Sequence, residues 1–321
     1  MEENKEYDVQ NTDKTVEKLN HNLLCDLLFG IFIGIAFIIP GFSGGSVAAI
    51  LGIYERIVNA LTDVFTQTRK ALRTLLPIFV GLVGGALVFT FPIGYMLSSF
   101  PIPTVSLFVG LAIGGVPNLM SGLKGKPSAG ELALMSASVL IAFLISFVPM
   151  NARVDLIGMS LDGYILLFLV GVLASCALVV PGISGSMILL ILGYYDPIVS
   201  LISERLLRFR DLPVTLSVLG ICALGIASGF ILMSFVMRRL LSLYPRRTYF
   251  AIIGLIIGSV PTAYISVMRS SGLLPWDYGA VSAVTVAVSL FMLLFGFLAT
   301  YYLCLLPRMR VKGEMRNNID I

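Results

Sequence analysis

Long apolar stretches alternate with short polar ones along the chain. No charged residue lies in 75–121, 132–152, 163–195, 212–237, 248–268 or 278–307. Uncharged runs of this length suit α-helices crossing a hydrocarbon layer roughly 30 Å thick at about 1.5 Å per residue. They lack the residue-by-residue alternation of a membrane β-barrel. The pattern predicts ordinary spans over about 75–98, 103–121 and 130–150, then over about 212–236, 248–268 and 279–306.

Two other apolar runs are interrupted. Residues 23–39 are apolar, 40–46 read PGFSGGS, and 47–53 are apolar again; a second run breaks in the same way at PGISGS, 181–186. Proline removes a backbone donor and glycine permits positive φ, so a helix breaks at each cluster. Non-helical backbone at membrane depth is tolerated only where it is buried in protein or lines a cavity.

The two interruptions belong to a duplication. At an offset of 141, PGFSGGSVAAILGIYERIVNAL (40–61) matches PGISGSMILLILGYYDPIVSLI (181–202) at ten of 22 positions. At an offset of 144, LSSFPIPT (97–104) faces LSLYPRRT, and GLAIGGVP (110–117) faces GLIIGSVP. Ordered blocks at nearly constant spacing mark an internal repeat. The predicted organisation is a polar arm (1–22), a first membrane repeat (23–150), an external connector (151–162), a second repeat (163–307) and a basic tail (308–321).

Charge decides how the broken runs are threaded. With the N-terminus inside and the broken runs turning back, 17 Lys/Arg fall inside and 5 outside; if those runs cross, the split is 12 to 10. The positive-inside rule selects the re-entrant arrangement, with both termini cytoplasmic. Three crossings per half then invert the second half. The predicted fold is an all-α polytopic membrane protein with two inverted-topology repeats, each a re-entrant broken helix pair plus three transmembrane helices, which is a transporter architecture.

Each turn ends in Ser-Gly and opens a new helix. Helix N-termini carry unbonded N–H groups and partial positive charge, and serine hydroxyls add donors. Gly41, Ser43, Gly44, Gly45 and Ser46, with Gly182, Ser184, Gly185 and Ser186, are therefore candidates to hold an anion, phosphate in particular, without a buried Lys or Arg. Glu55 and its repeat partner Asp196 are candidates for coupling to protons or cations, or for gating by pairing with Arg56 or Arg205. Arg56 and Arg205 are also candidates for headgroup recruitment. Asp26 reads as a headgroup-level acid. Gly84/Gly85, Gly110/Gly114 and Gly254/Gly258 read as helix-packing positions.

With 57% hydrophobic and 12% charged residues, a soluble enzyme or nucleic-acid binder is excluded. The four cysteines form no CxxC pair and read as core residues. The G-x-S-G strings resemble a rhomboid nucleophile motif, but the single histidine, His21, lies in the polar arm, away from any serine in the spans. The spans also lack an acidic or histidine cluster, so neither a metal nor another cofactor is expected. The residues alone leave open a transporter of an anion, phosphate in particular, with a small soluble anion among the candidates; ranked lower, an intramembrane enzyme such as a lipid phosphatase or a protease; and a membrane scaffold, which leaves the broken helices unexplained.

PGFSGGSVAAILGIYE, its echo PGISGSMILLILGYYD and the GLxxGxxP blocks resemble the PopT family of bacterial polyprenyl-phosphate transporters, over about 23–307. The resemblance implies a protein of the bacterial cytoplasmic membrane that returns undecaprenyl phosphate from the outer to the inner leaflet for cell-envelope synthesis. Pro40–Ser46 and Glu55 match the family motif. The second copy departs from it at Ser186, Met187 and Pro197, so unequal turns are expected.

Overall fold

The structure, a computed structural model, describes residues 23–39, 42–123, 125–145, 147–148, 154–206, 211–270 and 282–317. The polar arm 1–22, Pro40 and Gly41 of the first turn, and parts of the connector and tail lie outside the described residues. The described chain forms α1 (Leu23–Ile38), α2 (Gly44–Ile50), α3 (Tyr54–Thr62), α4 (Thr68–Ser99), α5 (Pro101–Ser121), α6 (Ala129–Ile145), α7 (Leu161–Val179), α8 (Gly185–Ile191), α9 (Tyr195–Ser200, continued by a π-helical turn, Leu201–Leu206), α10 (Leu212–Leu243), α11 (Pro245–Ser270) and α12 (Ala283–Asn317). Among the described residues there is no strand. Six helices (α4, α5, α7, α10, α11 and α12) are long and apolar enough to cross a membrane, and α8 with the following helix forms a pair bent by 105°. This is a multi-pass helical membrane protein. The apolar helices α1 and α6 are shorter, with 16 and 17 residues.

The element order runs twice. Both short helices, α2 and α8, have 7 residues. Both helices after them, α4 and α10, have 32. Proline opens both α5 and α11, at Pro101 and Pro245. The helices outrun the apolar stretches that predict them: α4 starts at Thr68 rather than near 75 and takes in Arg69, Lys70 and Arg73. Hydropathy marks only the lipid-facing part of a helix, whereas long basic side chains extend from its first turns toward water. The limb expected from 47 begins at Gly44, because Ser43 already has the extended backbone of an N-cap (φ −113°, ψ 126°).

Small residues bring the helices together in parallel pairs. A side chain on Gly30 would strike the Ile78 carbonyl, and one on Gly34 the Leu82 carbonyl, so α1 and α4 rise side by side. Gly225 and Gly229 fit against Phe168 and Val172, pairing α7 with α10. Gly110 and Gly114 meet Leu293 and Phe297, so α5 pairs with α12; Gly254 and Gly258 meet Met135 and Val139, so α11 pairs with α6. The last helix of each half thus packs on the other half. Close backbone approach replaces the hydrophobic drive that helices lack in lipid. Gly84 departs from the packing expected of it: nothing stands within 4 Å of where its side chain would be.

At the centre α5 and α11 are the most buried of the spans. They touch through Ser106 and Tyr264, whose hydroxyls are 2.7 Å apart. Around them runs one core that includes Ile39, Phe42, Ile50, Ile53, Ile252 and Ile256. It joins the first broken run to α11.

Candidate functional site

The string I-L-G-x-Y becomes a helix terminus. In the first half Gly52 (φ +73°) donates to Ala49 and Ile53 donates to Ala48; in the second Gly193 (φ +79°) donates to Leu190 and Tyr194 to Leu189. Both are Schellman motifs, which require a left-handed residue that glycine adopts without strain. They stop α2 and α8 after two turns. The end of α2 is tied further, since the Ile50 carbonyl accepts from Asn118 Nδ2 (3.2 Å) on α5 and from Cys304 Sγ (3.7 Å) on α12.

The opposite end of α2 meets the end of α7, across the halves. A side chain on Gly45 would stand 3.1 Å from the Leu178 carbonyl oxygen and 3.4 Å from Pro181 Cα. The first turn therefore lies against the start of the second. Tyr54 donates its buried hydroxyl to the carbonyl of Val179, the last residue of α7, at 2.9 Å. In the second turn Gly182 has φ +91° and is pressed against Leu255 of α11. Gly44 and Gly185 pack back on α1 and α7, against Phe37 and Ala174 respectively.

Four serines line these turns, and they are not equivalent. Ser43 and Ser46 are both buried, and among the described residues neither hydroxyl has a hydrogen-bond partner. Ser184 and Ser186 bond each other at 2.8 Å. Ser43 and Ser184 both hold the N-cap position without capping through the side chain. In α2 the first bonded N–H groups are those of Ser46 and Val47, both to the Ser43 carbonyl, so Gly44 and Gly45 stand ahead of the ladder. A buried hydroxyl left without a partner costs about 1–3 kcal/mol. The first turn carries two, side by side in sequence with glycine N–H groups.

The charged candidates have separate partners. Glu55 lies on the exposed side of α3 and accepts from the Tyr249 hydroxyl of α11 at 2.6 Å. Arg56 pairs with Asp26, not with Glu55. Asp26 is buried at 3% exposure, a weight that its place near the start of an apolar run did not suggest. Asp196 is exposed, and among the described residues its carboxylate has no ion pair. Arg205 pairs with Asp211 at 3.0 Å. Two further bridges join the halves: Arg238 reaches Asp63 at 2.6 Å and Thr62 at 2.7 Å, and Arg246 takes Glu131 at 2.8 and 3.1 Å.

Sequence reasoning passed over Tyr54, Tyr249 and Asn118 as site elements. Asn118 had a signal, being the only amide or charged side chain in 75–121. The partners of Tyr54 and Tyr249 lie 125 and 194 residues away in sequence, and no local pattern encodes such contacts.

The profile of the undecaprenyl phosphate translocase-like family matches residues 33–271. The chain belongs to that family. It is 31% identical to the polyprenyl-phosphate transporter of Staphylococcus aureus over 243 residues, which cover 73% of this chain and 84% of the relative. It is 26% identical to the polyprenyl-phosphate transporter of Vibrio cholerae over 254 residues, covering 75% and 77%. No solved structure matches this chain. The matched region contains both PGxSG turns, α2 to α11 and both short-helix caps, so the turns lie inside what the family shares.

Proposed function

We propose that this protein carries a polyprenyl phosphate, undecaprenyl phosphate in the family's case, from the outer to the inner leaflet of the bacterial cytoplasmic membrane. It acts as a transporter and not as an enzyme. The observation that carries this reading is the pair of buried hydroxyls of Ser43 and Ser46, without a partner among the described residues, where the two turns abut. A phosphate there accepts from both hydroxyls and from the Gly44 and Gly45 N–H groups, with no cationic side chain to hold it irreversibly. Moving an anionic headgroup through hydrocarbon costs several kcal/mol or more. Such donors offset that cost while the polyprenyl tail remains in lipid.

The two halves are read as inverted repeats with re-entrant broken helices. Parallel packing of α1 on α4, with Gly30 level with Ile78, supports a chain that returns between them to the face it left. Arg238, near the end of α10, bonds to Asp63, just ahead of α4. That contact supports an α10 that ends where α4 begins. The pairing of α5 with α12 and of α6 with α11, both parallel, fits the same scheme. Alternation of such halves exposes the site to each leaflet in turn. Both termini are assigned to the cytoplasm, where Arg56, Arg69, Lys70, Arg73, Arg238, Arg239, Arg246 and Arg247 then gather. Glu55 and Asp196 are the candidates for coupling to a proton or cation, and Asp196, which has no ion pair among the described residues, is the freer of the two.

The test is translocation of polyprenyl phosphate in proteoliposomes by wild type, Ser43→Ala and Ser184→Ala. Loss of transport in Ser43→Ala supports the site. Wild-type rates in both variants overturn the site assignment, and a wild-type protein that moves no lipid phosphate overturns the function. Uptake of a small soluble anion instead points to the competing transporter reading.

A further inference from the structure

A cleft lined by basic side chains lies far from the turns. Between the N-terminal ends of α1 and α4 is a cleft of about 1170 Å³, lined by Leu23, Asp26, Arg69, Lys70, Leu72, Arg73, Leu76 and Pro77. The turn at Ser43 begins beyond the other end of α1, a 16-residue helix about 24 Å long. At about 100° per residue, the six α4 residues lining the cleft fall on one arc of about 160°. The three cations sit toward the start of the helix, and Leu76 and Pro77 lie a turn deeper.

Charge bookkeeping inside the cleft leaves it cationic. Among the described residues that line it, the one acid is Asp26, which is engaged by Arg56. Arg69, Lys70 and Arg73 are exposed, and among the described residues none of them forms an ion pair. Topology alone needs basic residues near a membrane face but no cleft with apolar walls beneath them. The repeat supplies an internal comparison: the positions of Arg69, Lys70 and Arg73 are held by Pro213, Val214 and Ser217 in the second half, and that of Asp26 by Leu167. The cationic cleft is therefore a feature of one half.

We propose that this cleft binds the phosphate headgroup of a membrane lipid, with the three basic side chains on the phosphate and Leu23, Leu72, Leu76 and Pro77 along the first part of the chains. The proposal does not depend on the translocation reading. The phosphate belongs either to a resident anionic phospholipid or to a polyprenyl phosphate paused at the membrane face.

The experiment measures equilibrium binding of phosphatidylglycerol, polyprenyl monophosphate and phosphatidylcholine to the purified full-length protein in neutral detergent. Wild type is compared with the Arg69→Gln/Lys70→Gln/Arg73→Gln variant and with Arg69→Lys/Arg73→Lys. Three basic groups near a lipid surface predict a loss of about a hundredfold in the triple variant at low ionic strength, shrinking as salt rises. The lysine variant retains most of the affinity, since charge at an exposed cleft is what is read. Loss confined to phosphatidylglycerol identifies a resident lipid, and loss confined to polyprenyl phosphate identifies the transported one; either supports the site. Unchanged affinity of the triple variant for both anionic lipids overturns it, as does phosphatidylcholine binding as tightly as phosphatidylglycerol.

Discussion

The phenol of Tyr54 closes the end of a helix that belongs to the other half: its hydroxyl donates to the Val179 carbonyl at 2.9 Å. Helix ends leave carbonyls without intrahelical donors, and one buried in a membrane protein has no water to turn to. Tyr54→Phe is expected to lower stability by about 1–3 kcal/mol, the cost of one stranded buried acceptor. Its repeat partner Tyr195 is exposed, so Tyr195→Phe is expected to change stability by no more than about 0.5 kcal/mol. Thermal unfolding in detergent separates the two variants; equal effects would remove the special role of Tyr54.

Stability and transport should part company at the first turn. Ser43→Ala and Ser46→Ala remove hydroxyls that have no partner among the described residues, so melting temperature is expected to hold or rise while lipid translocation falls. Ser186→Ala breaks the 2.8 Å bond to Ser184 and is expected to cost about 0.5–1.5 kcal/mol. Parallel melting curves and transport rates check this. A Ser46→Ala protein that melts early would show the hydroxyl to be structural.

The buried Asp26–Arg56 pair is expected to be intolerant of half-removal. Asp26→Leu takes away the carboxylate that Arg56 pairs with, at a cost of about 3–5 kcal/mol. The double variant Asp26→Leu/Arg56→Leu should recover most of that loss, because the second half already carries Leu167 at the position of Asp26. A double-mutant cycle on unfolding measures the coupling. No recovery would mean that the pair has a role beyond neutralising itself.

Two adjacent glycines offer a sharp comparison. Gly85 lies against Ile31 of α1, whereas Gly84 faces open space. Gly85→Ala is expected to destabilise by about 1–3 kcal/mol through overpacking, and Gly84→Ala to stay within about 1 kcal/mol of wild type. Similar melting temperatures for both would contradict the α1–α4 seam.

Much of the helix layout is legible in the sequence. The uncharged runs located the long helices, and the repeat of PGxSG located both breaks, because proline and glycine act on their own stretch of backbone; the helix ends at Gly52 and Gly193 went unread. Gly84 and Gly85 show where that reading stops: neighbouring residues with the same chemistry, only one of which meets another helix. Asp26 shows it again, since a lone acid near the edge of an apolar run reads the same whether it faces headgroups or a guanidinium. The inequality of Ser43/Ser46 and Ser184/Ser186 was foreshadowed by Met187 and Ser186 in the sequence. Which pair would bond internally depends on side-chain rotations that sequence does not encode.

The bridges between the halves are unevenly distributed: Tyr54–Val179, Glu55–Tyr249, Asp63–Arg238 and Glu131–Arg246 each join an acceptor or donor of the first half to the second, and the counterparts of Glu55 and Tyr249 are Asp196 and Val105, which cannot form the equivalent hydrogen bond. For a carrier whose halves exchange roles, the two end states then differ in free energy. That difference sets where the empty protein waits. It leaves the direction of net flow to the lipid gradient or to a coupled ion, because a carrier that returns to its starting state cannot drive transport through its own conformational energy. Loosening these bridges should therefore change how quickly the protein turns over while leaving unchanged the leaflet distribution that it approaches at equilibrium.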